Sequence, residues 1–168
     1  MRAARFRPVF RFVGFMYLAA VVWFLGPVLR AADTTLTRVW AEWRSAESFD
    51  RISEYFGRGE NTGGHRILRT HADTRAGFYF LVRLAQPTAL ADTTFELQVI
   101  APDAPEPKTF SFAAPVSAGN AIFELGLTGA DWPGGAKVRP VAWKLALLAA
   151  DGHVLAEQKS FLWEKPTQ

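Results

Sequence analysis

Cysteine is absent from this 168-residue chain, which excludes a disulfide framework, a thiolate metal site and a cysteine nucleophile. Histidine is scarce: His65, His71 and His153 are the three in the chain. His65 and His71 flank one short apolar stretch and Asp73 follows, so a two-histidine, one-carboxylate metal site can be drawn there. Its spacing matches no strong ligand pattern, and histidines at strand ends read as solvated loop residues. No metal and no cofactor is expected. Neither G-x-S-x-G nor H-E-x-x-H occurs, so two frequent hydrolase signatures are missing. Acidic residues are missing from the first 32 positions, where Arg2, Arg5, Arg7, Arg11 and Arg30 lie.

That last absence decides what the basic balance means. The isoelectric point of about 9.5 suggests an anionic partner, with nineteen lysines and arginines against sixteen acids. Removing the five leader arginines leaves fourteen against sixteen from Asp33 onward, a net of −2. A nucleic-acid partner, which needs a basic patch on the folded domain, is therefore not expected. The leader itself is a basic flank followed by an 18-residue apolar run from Phe12 to Leu29. This is the layout of a secretory signal, or of an N-terminal anchor whose positive flank stays in the cytoplasm. The run is long for a signal core and close to the minimum for a spanning helix. Residues 29–32 offer only an imperfect small-x-small cleavage site. Residues 1–32 are thus read as a signal peptide or a membrane tether. The domain beyond them is placed outside the cytoplasm: periplasmic, extracellular, or anchored on the outer side of the membrane.

Proline and glycine are absent from 35–56. Leu36, Val39, Trp40, Trp43, Ala46, Phe49, Ile52 and Phe56 recur there at spacings of three and four, which predicts one long helix or two short ones. Residues 38–43 also read as a first edge strand, and Trp40 and Trp43 as packing against the sheet or as a belt near the membrane surface. The stretch 57–64 (G-R-G-E-N-T-G-G) has neither G-x-G-x-x-G after a strand nor a G-K-[ST] ending. It reads as a connector, so residues 33–64 form a helical segment plus linker ahead of a domain over 65–168.

From residue 65 onward the periodicity changes to two. Strands are predicted over 66–70, 78–84, 94–100, 109–112 and 121–127. Residues 78–84 are apolar on both faces and are placed at the centre of a sheet. The three prolines in 101–107 exclude that stretch from a sheet interior. The strongest local signal is the C-terminal hairpin, 141–148 and 154–163, turned by Asp151-Gly152 in what reads as a type I′ turn. That register sets Leu147 opposite Ala156, Leu145 opposite Gln158, Trp143 opposite Ser160 and Val141 opposite Leu162. Trp143, Phe80, Val82, Phe95, Leu97, Phe123, Leu125 and Leu145 are expected to be buried together. About seven strands with no helical crossovers predict a mostly β fold, an antiparallel immunoglobulin- or fibronectin-like β-sandwich.

Two places on this frame invite a functional reading. Arg69 and Arg75 bracket the turn before the central strand and either meet an anionic partner or pair with Asp73 and nearby carbonyls. The thirteen-residue loop 128–140 carries one large apolar side chain, Trp132, beside Asp131. Loops this long in compact domains are often functional. Trp132 there either plugs the sandwich end or offers a stacking face to a ligand, with Asp131 as hydrogen-bond acceptor. The expected function is an exported, non-catalytic β-sandwich acting as a structural or protein-interaction module at the cell envelope, its partner a protein or a glycan. The alternative is a carbohydrate-binding module using Trp132; a more remote one is a hydrolase with dispersed carboxylates.

Overall fold

The computed structural model describes residues 33–50 and 62–164. The leader, most of the helix expected over 48–56 and most of the glycine-rich connector lie outside these residues. The described residues form β1 (Thr35–Arg44), β2 (Arg66–Arg69), β3 (Gly77–Gln86), β4 (Thr94–Ala101), β5 (Ala104–Ala113), β6 (Gly119–Thr128), β7 (Ala142–Leu148) and β8 (Val154–Lys159). They build two four-stranded sheets, ordered β1-β3-β6-β2 and β5-β4-β7-β8.

The apolar stripes of both sheets meet in one core. Phe78, Phe80, Val82 and Leu84 of β3 and Phe123, Leu125 and Leu127 of β6 face Phe95, Leu97 and Val99 of β4 and Leu145 and Leu147 of β7. Phe95 and Phe123 touch across the layers with ring centroids 4.8 Å apart. As predicted, β3 is interior to its sheet, between β1 and β6. The prolines Pro105 and Pro107 lie on β5, an edge strand, where missing N–H groups are tolerated.

The helix predicted from residue 35 is a strand instead. β1 pairs antiparallel with β3 as an edge strand, and its register shifts between Leu36 and Arg38. This extra residue spaces the inward side chains Leu36, Val39, Ala41 and Trp43 by three and then by two. A β-bulge thus imitates the first step of a helical period. Only Ala46–Phe49 turns, as one 3-10 segment. Trp43 packs on the core, whereas Trp40 stays 52% exposed with the Arg38 guanidinium 4.6 Å from its ring.

The first sheet also departs from a purely antiparallel one. β2 runs parallel to β6, because the chain passes under the end of β6 and returns on its other side as β3. Thr70 and Thr128 hold that crossing. The Thr128 N–H donates to Thr70 Oγ1 at 3.0 Å, the Thr70 N–H donates to the Gly126 carbonyl at 2.9 Å, and the His71 N–H donates to Thr128 Oγ1 at 3.0 Å.

The hairpin register is the expected one as far as Trp143: Leu145 pairs with Gln158 and Leu147 with Ala156, and the Ser160 N–H reaches the Trp143 carbonyl at 2.9 Å. Beyond it the return strand ends at Lys159 and Phe161–Glu164 turns into a 3-10 segment, so Val141 and Leu162 do not pair as predicted. The turn is not type I′. No residue other than glycine has positive φ among the described residues, and Gly152 alone supplies it here at 85°. The Gly152 N–H closes a turn onto the Ala149 carbonyl, and the Ala149 N–H donates to His153. This is the longer hairpin loop in which a left-handed glycine follows the turn. The accompanying shift at Leu147/Leu148 turns Leu155 onto the core. Trp143 is only partly buried, meeting Phe80 edge-on at 5.7 Å.

Two substitutions test this packing. Phe80→Ala should cost about 3–5 kcal/mol in chemical denaturation, and Trp143→Ala, which removes a partly buried ring, should cost less. At Gly126 an added Cβ would lie 2.4 Å from Tyr79 Cε1. Gly126→Ala should therefore destabilise by roughly 1–3 kcal/mol, and the paired change Tyr79→Leu should recover part of that loss.

Candidate functional site

The loop after β6 begins at Thr128, fully buried and locked to Thr70 and His71. A short 3-10 turn, Gly129–Asp131, follows, and the Trp132 N–H closes it onto the Gly129 carbonyl at 3.2 Å. This geometry sends neighbouring side chains in opposite directions. Trp132 turns inward and is 6% exposed, its ring 5.0 Å from Phe78. Asp131 turns to the surface between two bases: its Oδ1 accepts from Lys108 Nζ at 2.7 Å and its Oδ2 lies 3.2 Å from His71 Nε2.

These residues wall a cavity of about 200 Å³ at the end of the sandwich. Val99, Phe110, Trp132 and Val138 make it apolar, and Asp103, Lys108 and Asp131 stand at it with charge. Lys108 and Phe110 come from β5, Val99 from β4, Asp103 from the turn between those strands, and Asp131, Trp132 and Val138 from the 128–140 loop. The Trp132 indole Nε1 is buried with no hydrogen-bond partner, unusual for a buried donor.

Of the two site residues predicted from sequence, both line this cavity, in unequal roles. Asp131 is a charged group at the cavity, already engaged. Trp132 is a wall and a plug, since its ring packs on Phe78 and leaves no open face for stacking. Lys108, Phe110, Val99 and His71 were not foreseen as its companions. Lys108, Phe110 and Val99 carry only their positions on strands as a local signal, His71 only its place in the turn after β2, and neither says which loop they will meet.

Compared with known protein families and with curated proteins, the chain matches none.

A second cluster lies on the outer face of the β1-β3-β6-β2 sheet. Glu124, which alternates with the core residues Phe123 and Leu125 on β6, is 4% exposed. It is paired with Arg44, and its Oε1 lies 2.7 Å from His65 Nδ1. Phe49 covers the neighbouring ground, its ring 4.9 Å from Tyr79 and 4.0 Å from the Arg44 guanidinium. Arg69 donates to the Tyr79 hydroxyl at 2.8 Å, and Arg75 pairs with Asp50 at 3.0 Å. Neither arginine takes Asp73 as its partner in these contacts. The two histidines likewise serve different carboxylates, His65 with Glu124 and His71 with Asp131, so the drawn His65–His71–Asp73 site is not assembled. Among the described residues no group of three metal-ligating side chains converges.

Burial alone would raise the Asp131 pKa, but hydrogen bonds from Lys108 and Thr70 and the charges of Lys108 and His71 outweigh it and hold it below the usual value. A carboxyl depressed in the folded state stabilises fully above its unfolded pKa, near 4, and loses that contribution as pH falls through the folded value. Thermal melts taken from about pH 6 down through about pH 3 should therefore show a loss of stability that Asp131→Asn reduces. Equal slopes for variant and wild type would mean that the Lys108–Asp131–His71 contacts are not held in solution.

Proposed function

We propose that the chain is an exported, non-catalytic β-sandwich of immunoglobulin- or fibronectin-like type that acts as a structural or protein-interaction module at the cell envelope, held there or delivered by its apolar leader. The observation that carries the interaction reading is the apolar surface left at the end of the β7–β8 hairpin. Phe161 is 90% exposed, Leu162 48% and Val141 46%. Phe161 and Leu162 lie on the 3-10 segment Phe161–Glu164 that follows β8, which starts where Ser160 bonds Trp143. Phe161 and Leu162 are adjacent in the chain, and large apolar side chains left in water together mark contact sites. The carbohydrate-binding alternative draws on an indole face, and the burial of Trp132 against Phe78 speaks against it. The hydrolase alternative draws on free carboxylates. The two that the fold draws inward, Glu124 and Asp131, are instead each held by two basic groups.

Export rests on the sequence: the arginine flank, the apolar run from Phe12 to Leu29, and the change of charge balance at Asp33. Among the described residues no helix is long and apolar enough to cross a membrane. The test is a fusion of residues 1–40 to a reporter that is active only outside the cytoplasm. An active reporter is the expected result. An inactive reporter at normal expression would end the envelope reading. N-terminal sequencing of the full-length product then distinguishes cleavage near Ala31 or Ala32 from an intact tether.

A further inference from the structure

Four strands end the two sheets, and an unpaired strand edge is a template for another chain unless something guards it. β1 has a bulge and the charges Arg38, Glu42 and Arg44. β2 is only four residues long. β8 carries Glu157 and Lys159 and a register shift at its start. On β5 the guard is confined to the first half, where Pro105, Pro107 and Lys108 lie.

The second half of β5 is open, and the direction of its backbone follows from the prolines. A proline nitrogen has no hydrogen to give the ladder, so Pro105 and Pro107 turn theirs away from β4. Strand geometry makes the other odd-numbered residues do the same. The neighbouring contacts agree: the even-numbered Ala114 donates its N–H towards β4, to the Thr93 carbonyl at 3.0 Å. Thr109, Ser111 and Ala113 thus present N–H and C=O groups outward from the sheet edge, and their side chains are exposed. Beside this edge lies the apolar cavity, walled on one side by Phe110 and on the other by Trp132, whose Nε1 is buried without an acceptor.

We propose that the open half of β5 and this cavity form one peptide-binding site, which takes an extended segment of a partner protein as an added strand. The segment pairs through Thr109, Ser111 and Ala113 and lowers one apolar side chain into the cavity. Added strands draw affinity from main-chain hydrogen bonds and specificity from pockets for alternate side chains. A space of about 200 Å³ suits a single leucine- or phenylalanine-sized group. Lys108 and Asp131 already pair at 2.7 Å and Asp103 adds a negative charge to the lining, so an acidic side chain is disfavoured and the apolar walls select an apolar one.

The occupant is another protein because the stretches of this chain outside the described residues attach elsewhere. The leader joins at Asp33, beside His153, Val154 and Leu155. Residues 51–61 are tied at both ends to the other sheet, through Asp50–Arg75 and His65–Glu124. The C-terminus leaves beyond β8, at the opposite edge from β5. The proposal rests on the interaction-module reading above and names the partner's chemistry.

The test uses the full chain in detergent micelles and short synthetic peptides of alternating threonine, with Leu, Phe, Ala or Asp at the central position. The Leu and Phe peptides should bind roughly tenfold or more tightly than the Ala and Asp peptides, a difference of about 1.4 kcal/mol. Ser111→Pro removes one outward N–H without touching the β4 ladder and should weaken binding at least about tenfold, while Ser111→Ala keeps it. Hydrogen exchange on the wild type should show new protection at Thr109, Ser111 and Ala113, a readout that does not depend on any variant folding. Equal binding of all four peptides, wild-type affinity in Ser111→Pro, or protection confined to another strand would each overturn the proposal. So would a homodimer that Ser111→Pro dissolves, since the edge would then belong to a second copy. None of these results touches the export reporter, so the envelope reading and the peptide site fail separately.

Discussion

The strand β3 has to be covered on both faces, and much of the architecture answers that requirement. Its inward stripe, Phe78, Phe80, Val82 and Leu84, is fully buried, and one sheet cannot bury its own face. The second sheet is the cover, with Phe95, Leu97 and Leu145 opposite. On the outer face Tyr79 is just as inaccessible, and no third layer of sheet exists there among the described residues. The cover is local instead. Phe49 lies over Tyr79, Gly126 lets the tyrosine ring settle on the strand below it, and Arg69 and the Arg75 carbonyl satisfy the hydroxyl. Glu124 is drawn into the same cover and is tolerable only because Arg44 and His65 meet it there.

The second sheet then fixes where the cavity can be. Val99 of β4 and Phe110 of β5 wall it on the sheet side, and the loop over residues 128–140 closes the other. Thr128 ties the loop's root to Thr70 and His71, and Trp132 fills most of the gap from within. The indole does not fill all of it. What remains lies between Trp132, Val138 and Phe110, against the one strand edge that its own sequence guards only in part.

Strand positions in the second sheet were legible in the sequence because each side chain's face follows from alternation alone. Phe95, Leu97 and Val99, and the pairing of Leu145 with Gln158, needed no knowledge of other elements. The hairpin's turn was misread by one residue of conformation: Asp-Gly suits a two-residue turn, but Gly152 alone takes the left-handed region, and the bulge that results turns Leu155 inward. β1 was illegible for a related reason. A bulge between Leu36 and Arg38 shifts the inward set by one, and a shifted alternation overlaps a helical repeat over so few residues. Glu124 defeated the pattern differently. Alternation gives the face of a residue but not what lies on that face, and Arg44 is eighty residues away.

The candidate site was half legible. Loop length and composition single out Asp131 and Trp132 without saying that one would be engaged by two bases and the other driven into the core. The partners Lys108 and His71 stand twenty-three and sixty residues away, and only the folded topology joins them. Sequences that specify one structure keep most local rules, and departures concentrate where function asks for them. Two departures meet on this loop. A buried indole N–H without an acceptor forgoes a hydrogen bond, at a cost of about 1–3 kcal/mol, and an apolar space goes unfilled where Leu or Ile at a neighbouring position could close it. A third stands beside them, since the prolines that blunt β5 stop short of Thr109. Each is mildly unfavourable for an isolated domain. A strand added at that edge would offset two of them at once, because it would pair the open backbone and fill the space.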